Sequence, residues 1–379
     1  MSTTPNIAIV GAGPGGLTLA RVLHVRGIRS TLFERDSHAL ARPQGGTLDL
    51  DAASGQFALD QAGLMGEFRH LARYEDQGMR ILDKHAQAHF DHPGDAADDR
   101  PEIDRTQLRD LLLDSLPQDF VQWGHELQKA RPSEEGTYDL LFENANGRPF
   151  DLVVGADGAW SKIRPLVSSY KPQYTGVTII EFGIDDIDAR YPSLSQLVGH
   201  GNLAAYGDDA KALIAQRNAN AHVRVYAAMR MPEGWAGQHF NFSNPGEVRE
   251  KLLSLYGDWA PELKDLIRLS SDRIQPLSLY ALPVGHRWTN RTGITLLGDA
   301  AHLMSPYGGS GVNNAMRDAA ELGRLLSESN DWREAVRIYE LEMFERVLDS
   351  ARDASHGIAT ALSHMQLEIA VGEMQAILG

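Results

Sequence analysis

The stretch "IAIVGAGPGGLTLARVLHVRGIRSTLFERD", Ile7 to Asp36, constrains the fold more than any other part of the chain. Four apolar residues suited to a buried strand run into Gly11, Gly13 and Gly16, which fit G-x-G-x-x-G. A helical pattern follows, with Leu17, Ala20, Val22 and Leu23 on its apolar face. The first glycine permits a sharp turn, the second lets backbone approach a pyrophosphate, and the third lets helix and strand pack closely. The helix start adds free N–H groups and partial positive charge. Glu34 ends the next apolar run 18 residues past Gly16, near the spacing of an acid that holds a ribose hydroxyl, and its charge disfavours a 2′-phosphate. The pattern points to FAD or NAD in a Rossmann-like α/β unit and does not separate the two.

A second mark favours the flavin. In "GITLLGDAAHLMSPYGGSGVNNAMRDAAELGRLL", Gly293 to Leu326, a strand runs into Gly298-Asp299, and a loop with Pro306, Gly308, Gly309 and Gly311 follows. A helix is expected from about Val312, burying Val312, Ala315, Met316, Ala319, Leu322 and Leu326. An Asp at a strand end accepts a ribityl hydroxyl, and a glycine-rich loop aims N–H groups and a helix dipole at the ring edge where a reduced flavin carries charge. A nicotinamide makes no such demand. His302 beside this loop reads as a structural histidine with no assigned role. A third mark, "FDLVVGADGAWSKIR", is a buried strand ending in Asp157-Gly158, with a helix expected to begin near Ser161, Lys162 and Arg164.

These three marks, in this order and at these separations, resemble the group A flavoprotein monooxygenases, the aromatic hydroxylases of the para-hydroxybenzoate hydroxylase type. Within them the chain is most similar to the tetracycline-inactivating monooxygenases, through "RPQGGTLDLDAASGQFALDQAGL", "PEIDRTQLRDLLLDSL" and "GDAAHLMSP". The resemblance implies that Glu34 and Arg35 hold the adenosine part of FAD, that Arg105 and Asp299 hold other parts, and that Asp49 contacts the flavin. It implies a role for Arg42 in NADPH use, and a pocket for the reaction with oxygen framed by Pro306 and Gly309. Two positions depart from the subfamily: Ser310 stands where it often has Gln, and Asn202 falls where tetracycline-degrading members carry an Arg. Both bear on the substrate and neither on the reaction type.

The fold expected is α/β: a Rossmann-like FAD-binding domain assembled from residues 1–75, 100–168 and 276–330, and an antiparallel-sheet substrate domain from 76–99 and 169–275. C-terminal helices from 331–379, the first of them bridging the domains, complete it. Alternation in "HVRVYAAMR" and "QHFNF" suggests half-buried strands, and Tyr206, Phe182, Met229 and Tyr226 are candidates for a pocket wall or plain core. "KHAQAHFDH", with His85, His89, Asp91 and His92, has helix-face ligand spacing, but its turn-rich flank "HPGDAADDRP" favours a surface loop over a metal site.

Composition narrows the partners. A net charge of −15 argues against nucleic acid, and the absence of cysteine removes disulfides, thiolate metal sites and Cys nucleophiles. No run approaches the roughly 18 apolar residues of a membrane span, and no secretory signal is visible, so a cytoplasmic monomer or homodimer is expected. The function expected is hydroxylation of an aromatic, enolic or polyketide-like molecule, with a tetracycline among the candidates. NADPH (or NADH) and O2 would be consumed through a flavin C4a-hydroperoxide. A flavin halogenase is disfavoured because the six tryptophans are all isolated. A flavoprotein dehydrogenase or oxidase, and a non-catalytic FAD-binding protein, remain as alternatives.

Overall fold

The computed structural model describes residues 5–41, 45–74, 77–94, 100–133, 136–143, 149–360 and 362–378. Ile7–Val10 lies at the centre of a five-stranded parallel sheet, in the order Ile294–Leu296, Leu152–Gly155, Ile7–Val10, Ser30–Phe33, Val121–Gln122. The two strands Ile7–Val10 and Leu152–Gly155 are buried along their whole length, as continuous apolar runs in a parallel sheet should be. Helix Pro14–Val25 buries Leu17, Ala20, Val22 and Leu23 as the periodicity predicts. It packs on helix Gly311–Glu328 closely enough that a Cβ on Gly323 would lie 2.4 Å from Val22 Cγ1.

The second sheet has seven strands: Gln275–Ala281, Gln173–Ile184, Val223–Arg230, Lys211–Arg217, Gly201–Tyr206, Gly78–Asp83 and Ala88–His92. It departs from a purely antiparallel sheet at one pair, Gly201–Tyr206 with Gly78–Asp83, which is parallel. These strands come from distant parts of the chain, so a long crossover can join them in parallel. The boundary drawn at 276 falls inside strand Gln275–Ala281, which pairs with Gln173–Ile184 in this sheet. "HVRVYAAMR" supplies a strand as expected, but "QHFNF" does not: Gln238 and His239 end helix Trp235–His239, and Phe240 drops into the core beyond it. That core, under one face of the sheet, holds Phe182 and Met229 with Tyr256, Trp259, Leu252 and Leu263 from helical segments between 245 and 268.

Helix Trp332–Thr360 joins the two sheets. Near its start Tyr339 donates to the Leu296 carbonyl at 2.9 Å, and the buried Glu340 accepts from Trp288 Nε1, Asn290 Nδ2 and Thr295 Oγ1 at 2.8–3.0 Å. Near its end Ile358 packs with Val177, Ile179 and Ala228 of the second sheet, and Arg230 donates to the Ile358 carbonyl at 2.6 Å. Its exposed face carries pairs such as Arg337 and Glu334. Helix Gln366–Leu378 follows.

Residues 88–92 of "KHAQAHFDH" form an edge strand, and His89 Nε2 lies 3.2 Å from Asp83. Among the described residues no group of three or more His, Cys, Asp or Glu is arranged to hold a metal, and no helix is long and apolar enough to cross a membrane.

Candidate active site

The three marks converge at the carboxyl ends of three adjacent parallel strands, where open α/β sheets bind ligands. Gly11 has φ +107°, and a Cβ there would lie 2.3 Å from the Ala156 carbonyl oxygen, so the first loop sits directly on the second. Gly16 is as tight, 2.0 Å from the Gly11 oxygen, whereas a Cβ on Gly13 would meet nothing within 4 Å. Gly13 caps helix Pro14–Val25 with its open side facing outward, leaving room for a phosphate at the helix start. The buried Glu34 carboxylate accepts the Ala12 amide at 2.6 Å and the Asp36 amide at 3.0 Å, which ties the turn to the second strand. Arg35 beside it is exposed.

Asp157 Oδ2 accepts the Lys162 amide at 2.6 Å, while Oδ1 is buried without a partner, and burial holds the carboxyl above its usual range. The helix expected from Ser161 is only a short 3-10 turn, Arg164–Leu166, interrupted by Pro165. Arg164 has a role that helical periodicity conceals. Its buried guanidinium donates to the carbonyls of Ala159, Asp299 and Ala300 at 2.7–3.0 Å and joins the second loop to the third.

In the third loop Gly298 has φ +58°, and a Cβ there would lie 2.8 Å from Ala315 Cβ. Asp299 follows, deep among protein atoms yet reachable by solvent, as a residue lining a cleft is. Burial raises its carboxyl, opposed by the charges of His302, Arg105 and Arg164. Arg105 is half-buried; burial lowers its guanidinium, opposed by Tyr226 and Asp299. Its amide donates to the Gly46 carbonyl at 3.0 Å. The facing wall comes from the second sheet: Tyr226, and Arg224 paired with Glu181. The cleft therefore runs from the glycine turn, past Asp299 and Arg105, to the second sheet.

Pro306 is exposed and opens a 3-10 turn to Gly308, and Gly309 follows at φ +64°. This loop rests on the long helix, where a Cβ added on Gly308 would lie 3.1 Å from Ala354 Cβ and one on Gly357 3.1 Å from Tyr307 Cβ. Gly311 begins the helix one residue before the expected start, and Val312 is only partly buried against the core. Asp49 pairs with Arg100, and its carbonyl accepts Asn313 Nδ2 at 2.9 Å. Arg42 lies outside the described residues. Asn313 was not singled out by sequence. Its Oδ1 accepts the amides of Asp51 and Gly55 and fixes the π-helical turn Ala52–Gln56. Polar residues on a buried helix face escape an apolar-periodicity search, and Asp318 escapes it too.

The residues fit FAD. An open helix start with Gly13, an acid on the second strand, an unpartnered buried Asp157 oxygen and a deep, accessible Asp299 supply the donor and acceptor set of a stretched dinucleotide. The fold and these loops define a flavin-dinucleotide-binding α/β protein.

Residues 4–338 match the family described as FAD binding domain, and the chain belongs to that family. It is similar to the monooxygenase penA of Penicillium thymicola, 32% identical over 368 residues that cover 84% of each protein. Among solved structures, HpxO of Klebsiella pneumoniae complexed with FAD and uric acid superposes with a TM-score of 0.82 at 22% identity, over 98% of this chain and 93% of that one. Tetracycline destructase Tet(51) superposes with a TM-score of 0.73 at 20% identity, over 99% and 97%. These two share the fold. Family and relatives together put the chain in the class of FAD-dependent monooxygenases.

Proposed function

We propose that the protein uses a nicotinamide reductant, NADPH or NADH, and O2 to hydroxylate an aromatic, enolic or polyketide-like molecule. The observation that carries this reading is the apolar junction at the end of the cleft. Ile179, Tyr206, Tyr226 and Leu279 of the second sheet meet Tyr307 and Ile358 there, next to Pro306. That junction suits a flat, largely apolar ring system with a few hydroxyl groups.

Bound FAD supplies the electron transfer and oxygen activation that side chains lack. The chain's own residues bind and orient. Gly13 and the helix behind it would take the pyrophosphate, Glu34 the adenosine ribose and Asp299 a ribityl hydroxyl, while the Gly311 helix start would face the charge of the reduced ring. Arg35, Asp49, Arg105 and Asp157 are the remaining cofactor contacts proposed, with Arg42 on the nicotinamide side and Pro306 and Gly309 framing the oxygen pocket.

On the substrate side, burial pushes the Tyr206 and Tyr226 hydroxyls up to about 12, so both stay protonated and able to donate at neutral pH. Arg224 keeps a buried Nε–H without a partner, suited to the oxygen of a phenol or enol. A cation beside that oxygen favours its anionic form and enriches the neighbouring ring carbon. HpxO is recorded with uric acid and Tet(51) is named for tetracycline, so purine-like heterocycles and fused-ring polyketides are the compounds to screen first.

The test is turnover under 18O2 with NADPH, read by mass spectrometry of the product. One labelled oxygen atom per product molecule is expected. Oxygen consumption that leaves every organic product unlabelled would show instead a dehydrogenase or oxidase.

A further inference from the structure

We propose that Glu181 and Arg224 together select the substrate, favouring an aromatic lactam, in which a ring N–H stands beside a ring carbonyl, over an isosteric lactone or an aromatic carboxylate. The proposal rests on the reading of the cleft as the substrate site and narrows it to one chemical class.

Strand geometry puts the two side chains on one face of the second sheet. Arg224 and Tyr226 are two residues apart on strand Val223–Arg230, and Glu181 lies opposite Tyr226 on the neighbouring strand. Phe182, Val225 and Ala227, at the alternate positions, point the other way into the helical core. The polar face meets the flavin-binding domain at Gly46. A Cβ there would lie 2.7 Å from Gln216 Oε1, 3.1 Å from Tyr226 Oη and 3.4 Å from Arg224 Cδ. The Gly46 carbonyl accepts the Arg105 amide, so this wall stands against the segment that carries Arg105 into the cleft.

The pair is joined through one atom of each group. Arg224 Nη1 donates to Glu181 Oε1, and Gln275 Nε2 donates to the same oxygen at 3.1 Å. Glu181 Oε2 and Arg224 Nη2 have no partner among the described residues and neither is enclosed; 11% of the Glu181 side chain and 17% of the Arg224 side chain remain exposed. An acceptor oxygen and a donor nitrogen are thus left open, each on the same planar group as the atom that joins the pair. A lactam offers the complement, its N–H to the carboxylate and its carbonyl to the guanidinium. A lactone of the same shape has no donor and would set its ring oxygen against the carboxylate. An anionic carboxylate ligand meets Glu181 as a like charge, beside an arginine that Glu181 already offsets.

The test uses the FAD-loaded protein without reductant and follows the visible difference spectrum of the flavin as ligand is added. The signal then comes from the cleft and is independent of turnover, so the outcome under 18O2 still decides the hydroxylation reading by itself. The probes are 2-quinolone, its isosteric lactone coumarin, and 2-naphthoate. In wild type 2-quinolone should bind at least about tenfold tighter than either of the others. In Glu181→Ala the preference over coumarin should fall below about threefold, and 2-naphthoate should gain at least about tenfold as Arg224 loses its counter-charge. If Glu181→Ala does not hold FAD, Glu181→Gln, which removes the charge and keeps the shape, replaces it and should show the same gain for 2-naphthoate. No saturable spectral change with 2-quinolone, equal binding of 2-quinolone and coumarin, a preference that survives Glu181→Ala, or 2-naphthoate binding that neither variant improves would overturn the proposal.

Discussion

His302 Nε2 lies 2.6 Å from Asp318 Oδ2, with both side chains buried, and the same oxygen accepts the Gly298 amide at 2.9 Å. Arg346 of the long helix reaches the other carboxylate oxygen at 2.5 Å. The Gly298-Asp299 turn is therefore held from behind by buried charge, outside the cleft it serves. Burial pulls the His302 imidazole down, but the charge and hydrogen bond of Asp318 outweigh it and raise the group above 6.5. Burial also pushes Asp318 up, yet His302 and Arg346 bring it below 3.8.

The pair has a predictable pH signature. The contribution of His302 is fully present below 6.5 and is lost as pH rises through its raised folded value. The contribution of Asp318 is present above 3.8 and is lost as pH falls through its lowered value. The stability advantage of wild type over His302→Gln is accordingly largest between these limits and shrinks on the alkaline side. Urea unfolding across roughly pH 5 to 9 measures it, and an advantage that stays constant through that range would rule the coupling out.

Gly11 and Gly13 should respond in opposite ways to the same substitution. Gly13 has φ −76°, which any residue adopts, and open space at its Cβ position, so Gly13→Ala keeps the melting temperature of the FAD-free protein while weakening FAD. Gly11→Ala forces a side chain to φ +107° against the Ala156 oxygen and destabilises the fold itself. Thermal melts without FAD separate the two, and equal melting temperatures for both variants would contradict this.

The Asp299 carboxylate is exposed to the cleft, and among the described residues no hydrogen bond or ion pair within the protein holds it. Asp299→Asn removes the charge and should leave the FAD-free protein as stable or more stable. A urea midpoint showing a loss greater than about 1 kcal/mol would assign the carboxylate a structural role instead.

Glu340 is the reverse case. Its carboxylate serves two buried donors and one at the surface, so Glu340→Leu leaves Trp288 Nε1 and Thr295 Oγ1 without their acceptor in the interior, while Asn290 Nδ2 can turn to water. At about 1–3 kcal/mol for each of the two buried orphaned donors, a loss of roughly 2–6 kcal/mol is expected. Burial holds this carboxyl above 4.5, so at neutral pH part of the favourable bonding is offset by the charge, and Glu340→Gln should be far milder than Glu340→Leu. Chemical denaturation of the two variants checks the order.

The parallel sheet and its three loops were legible because backbone geometry imposes residue types there. Gly11 and Gly298 need positive φ, and the strands before them need continuous apolar runs. The helices between residues 232 and 270 were not legible. "QHFNF" alternates by coincidence as the chain leaves a helix, and no flanking signal contradicts a strand reading. The supports of the site were also hidden. Arg164, Asn313, Asp318 and Glu340 are polar residues whose partners lie 20 to 264 positions away, beyond any local pattern. His302 read as a bystander because its partner, Asp318, sits on the next helix, in a position that looks solvent-facing by composition.

The most direct measurement is titration of the FAD-free protein with FAD, followed by quenching of flavin fluorescence, in wild type, Glu34→Gln and Asp299→Asn. One FAD per chain is predicted for wild type, with affinity lower by about tenfold or more in each variant, the scale of a lost hydrogen bond to a charged group. A folded wild type that takes up no FAD, or two variants that bind it as tightly as wild type, would contradict a cofactor stretched from the Glu34 turn to the Asp299 loop.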